Sequence, residues 1–330
     1  MRRAGRILVW GAGTLALLLA IAAYLLYAPA PPEPELSARP QAGTIRVGDR
    51  DRSYMVYAPA RRANSPPLVV VFHGSMGSPA AIRMETGYGF DRLADREGFV
   101  VAYPQGFEGN WNDCRKAADY PARRLRVDDA GFFDALVARL RSEHGVDPAR
   151  VFVTGLSNGG HFVFRLALER PQAIAGAAVF GANLPTADNN DCTASGPPPP
   201  VMLVNGTGDP INPHEGGIVT LFGFGNRGTV LSARQSAAYF AGAGSTPVTK
   251  RIGPLIAGDP TWVEQSVWRR PGRSEIVLMS VHGGGHVVPQ PVYRPRRLLG
   301  RATSAIDGPE EAWRFFRRQP DRLMAEPSPR

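Results

Sequence analysis

The serine at position 157 lies in a sequence context that could make it a nucleophile. Residues 151–154 are β-branched or aromatic, which is typical of a buried strand, and residues 155–159 read GLSNG before an amphipathic helix. Such a turn would hold the Ser157 hydroxyl on strained backbone at the end of the strand. The pattern G-x-S-x-G is a weak signal alone, but these flanks favour a nucleophile over an ordinary turn serine.

A serine hydroxyl is a poor nucleophile at neutral pH, so it needs a base, an orienting carboxylate and donors for an oxyanion. In open parallel sheets these groups meet at the carboxyl ends of the strands. Asp209 follows the predicted strand 201–204, and His286 lies in the glycine-rich loop that ends the last predicted strand. The order Ser157, Asp209, His286 is the order nucleophile, acid, histidine expected for a serine on this kind of turn.

Two alternatives remain open for these partners. His282 also follows the last strand and competes for the role of base, although the glycine-flanked loop lets the later histidine reach back further. Asp209 could instead serve only turn chemistry in its Gly-Asp-Pro sequence. Three other aspartates are less well placed after a strand: Asp188, Asp191 and Asp259.

The oxyanion donors are predicted to be backbone amides. One is the amide of Asn158, directly after the serine, and the other is that of Ser75, in the loop that follows a buried strand. His73 in the same loop, Trp111 in a long loop and His214 after the acid are candidate pocket residues. For Trp111 the alternative is a structural plug, and for His73 it is support of the oxyanion loop.

Strands and helices alternate through most of the chain. Apolar runs predict strands at 68–72, 99–103, 151–154, 174–180 and 201–204. Helical spacing predicts helices at 78–97, 127–144, 158–170, 232–241 and 307–316. Hairpins are predicted within 44–57 and 262–281, and residues 216–228 form a glycine-rich flap or packed loop. The alternation predicts an α/β fold with a mostly parallel central sheet and helices on both faces.

Charge and cysteine content limit the functional classes. The net charge of +9 comes almost wholly from arginine, because lysine occurs only at Lys116 and Lys250. The arginines are scattered rather than gathered in one stripe, so no nucleic-acid partner is expected. Cys114 and Cys192 are too few for a zinc site, and no metal or cofactor is implied. In an oxidising compartment they are predicted to form one disulfide, the alternative being two unpaired thiols.

The first 28 residues are predicted to be a membrane anchor or a cleaved signal. Three arginines precede an uncharged run over 7–27, long enough to cross a bilayer, and residues 28–30 offer an A-x-A cleavage match. Either reading places the rest of the chain outside the cytoplasm. Residues 29–43 are predicted to be a proline-rich linker, 44–318 one catalytic domain, and 319–330 a disordered tail.

Five motifs in consistent order carry a resemblance to a known family. They are LVVVFHG from 68, VDDAGF from 127, GLSNGG from 155, GTGDP from 206 and GGGH from 283. Together they resemble the polyhydroxybutyrate depolymerase type of α/β-hydrolase, a group similar to feruloyl and acetylxylan esterases. The similarity covers about residues 44 to 318. It implies a serine esterase in which Ser157, Asp209 and His286 occupy the family's catalytic positions.

Two departures from that family lie near the expected pocket. Residues 287–289 read VVP where relatives often carry TWP, and His214 stands where an aromatic often follows the acid. These departures affect the choice of substrate more than catalysis. The expected substrate is an ester, either polymeric or small, and the oligomeric state does not follow from the sequence. Two rival classes are a serine peptidase of the same fold and a non-catalytic hydrolase-like binding protein, although no triad member is missing.

Overall fold

A computed structural model describes residues 2–242, 244–269, 272 and 274–319 of the chain. The described strands are β1 (Gln41–Val47), β2 (Arg50–Tyr57), β3 (Leu68–Phe72), β4 (Val100–Pro104), β5 (Val151–Leu156), β6 (Gly176–Phe180), β7 (Val201–Gly206), β8 (Gly217–Ile218), β9 (Thr229–Val230), β10 (Val248–Ile252), β11 (Trp262–Trp268) and β12 (Ile276–His282). The described α-helices are α1 (Arg2–Leu26), α2 (Pro79–Glu85), α3 (Gly89–Glu97), α4 (Pro121–Arg124), α5 (Asp129–His144), α6 (Asn158–Glu169), α7 (Ala233–Ala241) and α8 (Gly308–Phe316). Short 3₁₀ turns cover Pro148–Arg150 and Arg297–Leu299.

Ten strands form one sheet in the order β1-β2-β4-β3-β5-β6-β7-β12-β11-β10. The six central strands, from β4 to β12, run parallel, and an antiparallel pair extends the sheet at each edge. Apolar runs such as LVVVF in β3 suit this arrangement because a central parallel strand is buried on both faces. The predicted α/β class with a mostly parallel sheet is confirmed.

Helices cover both faces of the sheet. Along β3, Leu68, Val70 and Phe72 contribute to one core with α5, α6 and α7, while Val69 and Val71 contribute to the other with α2, α3 and α8. This alternation follows from the two-residue period of a strand. The parallel strands therefore end together at one edge, where the loops after β3, β5, β7 and β12 meet.

The helix predicted over 78–97 is two helices, α2 and α3. Between them Gly87 and Tyr88 take left-handed backbone conformations, with φ of 60° and 54°. The Thr86 hydroxyl also donates to the carbonyl of Ile82 at 2.8 Å, as serine and threonine do where a helix ends. A Cβ atom at Gly87 would lie 2.3 Å from the side chain of Gln290, so the close approach of Gln290 as well as the left-handed backbone favours glycine here.

Strand β10 at the sheet edge has no counterpart in the sequence prediction. Its residues are almost all exposed and include Lys250 and Arg251, so no apolar alternation marks it. The predicted glycine-rich segment 216–228 begins in a two-stranded pairing of β8 with β9. These short elements depend on backbone pairing rather than on a hydrophobic pattern.

The N-terminal part differs from its prediction. No helix in the part of the chain that the structure describes is long and apolar enough to cross a membrane, so the anchor predicted over 7–27 is not supported. The predicted linker packs on the domain: Glu33 pairs with Arg83 at 2.7 Å, and Ser37 donates twice to Asp95. Leu36 is partly buried and packs against the core, so the segment that carries Glu33 and Ser37 lies on the surface of the domain.

The C-terminal tail and the two cysteines are the last features with a prediction. Gln319 hydrogen-bonds back to α8, and the rest of the tail predicted over 319–330 lies outside the described residues. Cys114 and Cys192 form a disulfide with their Cα atoms 5.2 Å apart. It ties the loop after β4 to the loop after β6.

Candidate active site

Ser157 occupies the sharp turn between β5 and α6. Its backbone has φ of 57° and ψ of −120°, a conformation that is costly for a residue with a side chain. A Cβ atom on Gly159 would lie only 2.4 Å from the carbonyl oxygen of Phe72, so the helix must start with glycine to approach β3 this closely. The turn therefore presents the Ser157 hydroxyl at the carboxyl edge of the sheet, in the cavity described below.

His286 and Asp209 form a buried pair beside this turn. The Asp209 Oδ2 atom lies 2.7 Å from the His286 Nδ1 atom, and the two side chains are 1% and 6% exposed. Because a carboxylate only accepts, Nδ1 donates and Nε2 is left as an acceptor. The other carboxylate oxygen accepts the amides of Ile211 and Asn212 at 2.8 Å, which fixes the orientation of Asp209.

His286 lines the same cavity as Ser157, and its loop is held by backbone bonds from His286 to Leu299 and from Gly285 to Arg301. In the described chain no hydrogen bond joins the Ser157 hydroxyl to the ring. Catalytic contacts of this kind often tighten only when substrate binds. The arrangement therefore provides a nucleophile and an oriented base on one cavity surface.

The competing histidine takes no part in this pairing. The ring of His282 stacks on Trp262, with centroids 3.7 Å apart and planes within 3°. Asp259, one of the other aspartates, accepts hydrogen bonds from Thr261 and Ser304 in a loop. The structure thus joins Asp209 to His286 and leaves both alternatives in structural roles.

Two backbone amides are available near Ser157 to bind an oxyanion. The amide of Asn158 begins α6, and that of Ser75 lies in the loop after β3; neither donates a hydrogen bond within the described part of the chain. That loop is tight, because the amide of Gly77 donates to the carbonyls of Gly74 and Gly109. Free amides at a helix start and a fixed loop suit an anionic oxygen.

His73 and Trp111 were predicted to line the pocket, and the structure places both beneath the oxyanion loop instead. Each is fully buried. The His73 Nε2 atom accepts the amide of Gly106 at 2.9 Å, so Nδ1 donates to the carbonyl of Gly74 at 2.7 Å. Burial lowers the pKa of His73 to about 4, which keeps the ring neutral for these two bonds. The Trp111 indole donates to the carbonyl of His73 at 2.9 Å.

His214 was also predicted as a pocket residue, but it does not line the cavity of Ser157. Its Nε2 atom lies 2.9 Å from the hydroxyl of Ser280 on β12, and its Nδ1 atom lies 2.7 Å from Glu215. These contacts turn the ring toward the sheet. His214 thus joins the loop after β7 to the neighbouring strand.

A buried ion pair supports the first helical turn after Ser157. Asp113 contacts the guanidinium of Arg115 at 2.5 Å and accepts the side-chain amide of Asn158 at 2.7 Å. Burial is the largest single effect on the pKa of Asp113 and would raise it, but the charge and hydrogen bonds of Arg115 and the other favourable contacts together lower the pKa. The Asn158 side chain also exchanges two hydrogen bonds with the backbone of Trp111. Asn158, whose amide is a predicted oxyanion donor, is therefore held in place by residues outside its own motif.

Ser157 and His286 open into a cavity of about 500 Å³. Its walls include residues that the sequence did not point to: Met76, Glu85, Tyr120, Arg227, Tyr293 and Arg296. Burial raises the pKa of Glu85 to about 7, against the opposing effect of the charges on His286 and Arg296. These residues lie in loops or at helix ends without a motif, so no local signal marks them.

The strand order and the turn at Ser157 define an α/β-hydrolase. A solved structure described as acetyl xylan esterase from Aspergillus awamori shares this fold: it aligns with a TM-score of 0.54 and 19% identity, over 83% of this chain and 98% of that one. Residues 52–196 match the family described as Esterase PHB depolymerase.

Relatives with similar sequences carry related names. A putative esterase, NocK, from Nocardia uniformis subsp. tsuyamanensis is 30% identical over 303 residues, covering 85% of this chain and 86% of that protein. Poly(3-hydroxyalkanoate) depolymerase C of Paucimonas lemoignei is 32% identical over 123 residues, 29% of its length, and an acetylxylan esterase of Coprinopsis cinerea is 31% identical over 153 residues, 40% of its length. The chain belongs to the PHB depolymerase family of esterases, and it is a carboxylic ester hydrolase.

Proposed function

We propose that the chain hydrolyses carboxylic esters through an acyl-enzyme on Ser157. His286 takes the proton of the Ser157 hydroxyl as the oxygen attacks the ester carbonyl, and the amides of Asn158 and Ser75 bind the oxyanion. The protonated His286 then donates its proton to the departing alcohol. His286 then takes a proton from water as the water attacks the acyl group, and it returns that proton to the Ser157 oxygen as the bond to the acyl carbon breaks, which releases the acid and free Ser157.

One observation carries this proposal: the 2.7 Å contact between Asp209 and His286, on a cavity that both His286 and Ser157 line. Asp209 holds the ring with Nε2 as an acceptor and stabilises the imidazolium that forms during attack. The strained backbone of Ser157 supports the same role, because strain of this kind persists where it presents a reacting group.

The proposed substrates are polyhydroxyalkanoate oligomers or feruloyl or acetyl esters of polysaccharides. The relatives named as a poly(3-hydroxyalkanoate) depolymerase and as acetylxylan esterases support this choice. We further propose one catalytic domain over 44–318 and a location outside the cytoplasm. The disulfide between Cys114 and Cys192 supports that location, since disulfides persist in oxidising compartments.

The test is release of 4-nitrophenol from 4-nitrophenyl butyrate by the full chain and by Ser157→Ala. We expect kcat to fall by about 10⁴-fold or more, because the nucleophile is lost while the oxyanion donors remain. Ser195→Ala is the matched control, since this exposed hydroxyl donates only to carbonyls at the end of α6. Full activity of folded Ser157→Ala would refute the acyl-enzyme.

A further inference from the structure

We infer that Arg227 and Tyr120 form a subsite for a carboxylate carried by the ester substrate. This inference rests on the proposed function and narrows its substrate class to esters with a free acid group. Both residues line the cavity that contains Ser157 and His286. The glycine-rich segment 216–228 supplies Arg227, so this segment would select the substrate.

The subsite adjoins the predicted oxyanion loop. The Tyr120 hydroxyl lies 2.9 Å from the hydroxyl of Ser75, whose backbone amide is a proposed oxyanion donor. The Arg227 guanidinium carbon lies 5.6 Å from the centre of the Tyr120 ring, within range of a cation–π contact. A substrate whose ester carbonyl meets the oxyanion amides could therefore extend its far end toward Arg227.

Arg227 brings to this cavity a positive charge that no ion pair within the described residues neutralises. Four charged side chains line the cavity besides His286: Glu85, Arg115, Arg227 and Arg296. Arg115 is neutralised by Asp113, whereas Arg296, like Arg227, forms no ion pair within the described residues. Within the described residues Arg227 forms no ion pair, and its guanidinium donates only to the carbonyl of Gly225, at 3.3 Å.

The backbone of Arg227 is fixed although it lies in a loop. Its amide donates to the carbonyl of Val219 at 2.9 Å, and its carbonyl accepts from the side chain of Asn189 at 3.2 Å. Asn189 is buried and also binds the backbone of Lys116 and Ala117. The loop of Arg227 is thus tied to the segment that leads to Tyr120, which keeps the two side chains on one wall.

A carboxylate is the ligand that this arrangement fits best. A guanidinium presents paired N–H donors that match the two oxygens of a carboxylate, and it sheds its hydration more readily than an ammonium. The Tyr120 hydroxyl, which shares a hydrogen bond with Ser75, is a second polar group on the same cavity. A neutral acyl chain would leave the cation in the cavity unpaired, so the charged substrate gains a contact that its neutral counterpart lacks.

The experiment compares esters that differ only in a free carboxylate. In the acyl arm, the 4-nitrophenyl monoester of adipic acid is paired with 4-nitrophenyl methyl adipate. In the alcohol arm, 4-acetoxybenzoate is paired with methyl 4-acetoxybenzoate. The quantity measured is the ratio of kcat/KM for the acid to kcat/KM for its methyl ester, taken within each variant so that the fraction of folded protein cancels.

We expect Arg227→Met to lower this ratio roughly 10- to 100-fold in one arm, which identifies the side of the ester that carries the carboxylate. Arg227→Lys should keep part of the ratio, because it retains the charge but not the paired donors. The matched control is Arg234→Met, an exposed arginine on α7 outside the cavity, which should leave the ratio unchanged.

A ratio that stays the same in both arms for Arg227→Met and for Arg227→Lys would overturn the carboxylate subsite. That result would leave the proposed function intact. In that case Ser157→Ala would still abolish hydrolysis of the two neutral substrates, 4-nitrophenyl methyl adipate and methyl 4-acetoxybenzoate. If Arg227→Met does not fold, Arg227→Lys provides the test: a smaller drop of the ratio in one arm supports the subsite, and an unchanged ratio in both arms overturns it. Hydrolysis that persists in Ser157→Ala would instead refute the acyl-enzyme.

Discussion

The two surfaces of the cavity differ in how their polar groups are held. We call Ser157, Asn158, Asp209, His286 and the buried Asp113 the floor, and Met76, Glu85 and residues 216–228 the wall. On the floor, the side chains of Asp209 and Asp113 each accept at least two hydrogen bonds from within the protein. On the wall, the Arg227 guanidinium donates only to the carbonyl of Gly225 within the described residues, and Met76 is 74% exposed.

This difference separates two tasks that one cavity performs. A reacting group must be held within a fraction of an ångström, so its supporting bonds are satisfied before substrate arrives. A group that recognises substrate keeps part of its bonding capacity for the ligand. Substitutions on the floor should therefore change kcat or folding, and substitutions on the wall should change selectivity or pH dependence.

The largest effect is expected on the floor, from Asp209→Asn. The amides of Ile211 and Asn212 would still donate to the side-chain oxygen at position 209. The new NH₂ group would therefore face His286. A donor at that point forces the Nε2-protonated tautomer, which cannot accept the proton of Ser157. We expect kcat to fall by about 10⁴-fold with KM changed much less, measured with 4-nitrophenyl butyrate.

Asp259→Asn is the matched control for this change. Asp259 also accepts two backbone amides, those of Thr261 and Ser304, and its hydrogen bonds outweigh burial to lower its pKa to about 2. This variant should lose stability but keep its kcat per folded molecule. A similar loss of kcat in both variants would mean that removing a charge from any loop aspartate lowers activity. The loss in Asp209→Asn could then not be assigned to its contact with His286.

A second floor prediction concerns folding. Asp113→Ala removes the partner of Arg115 and leaves a buried guanidinium and the Asn158 amide unsatisfied. Breaking a buried ion pair in this way costs about 3–5 kcal/mol, because the remaining charge is not hydrated. We expect that loss in the free energy of unfolding from urea titration, together with a lower kcat as the start of α6 loosens.

Two variants sharpen this prediction. Asp119→Ala, in the same loop, breaks an exposed pair with Arg124 and should cost about 0.5 kcal/mol or less. Asp113→Ala combined with Arg115→Met should recover part of the stability, because no buried charge is left alone. A double variant no more stable than Asp113→Ala would assign the loss to Asn158 instead.

The sequence predicts the residues of the floor better than those of the wall. Asp209 and His286 each follow a strand whose apolar run is visible locally, and the register of a parallel sheet brings the ends of these strands together. The fold class is confirmed for the same reason. The helical spacing over 78–97 does not reveal the break at Gly87, because apolar periodicity continues across two left-handed residues, Gly87 and Tyr88.

The wall depends on how loops fold back on the domain. Trp111 lies in a loop that reads equally well as pocket or plug, and only its burial against Phe72 and Phe162 decides for the plug. Arg227 is one of many arginines, and what distinguishes it, a position on the cavity without an ion pair among the described residues, is visible only in the fold. The burial of Trp111 and the position of Arg227 depend on distances between segments far apart in the sequence. Neither hydrophobic periodicity nor a local motif predicts such distances.

The smallest effect is expected on the wall, from Glu85→Gln. Burial raises the pKa of Glu85 in the folded protein to about 7, from an ordinary value of 4.5. The folded state then binds more protons than the unfolded state between about pH 5 and 7, so the stability of the wild type falls as pH rises through this window. The glutamine variant lacks this dependence.

The free energy of unfolding of Glu85→Gln minus that of the wild type should therefore rise from pH 5 to pH 8, by on the order of 2 kcal/mol. Denaturation at each pH measures it. Glu143→Gln, which breaks an exposed pair with Arg139 on α5, should show a difference of about 0.5 kcal/mol or less. If this difference in the free energy of unfolding changes as little with pH for Glu85→Gln as for Glu143→Gln, the Glu85 carboxylate is hydrated. The wall would then resemble the exposed protein surface in its effect on a carboxylate.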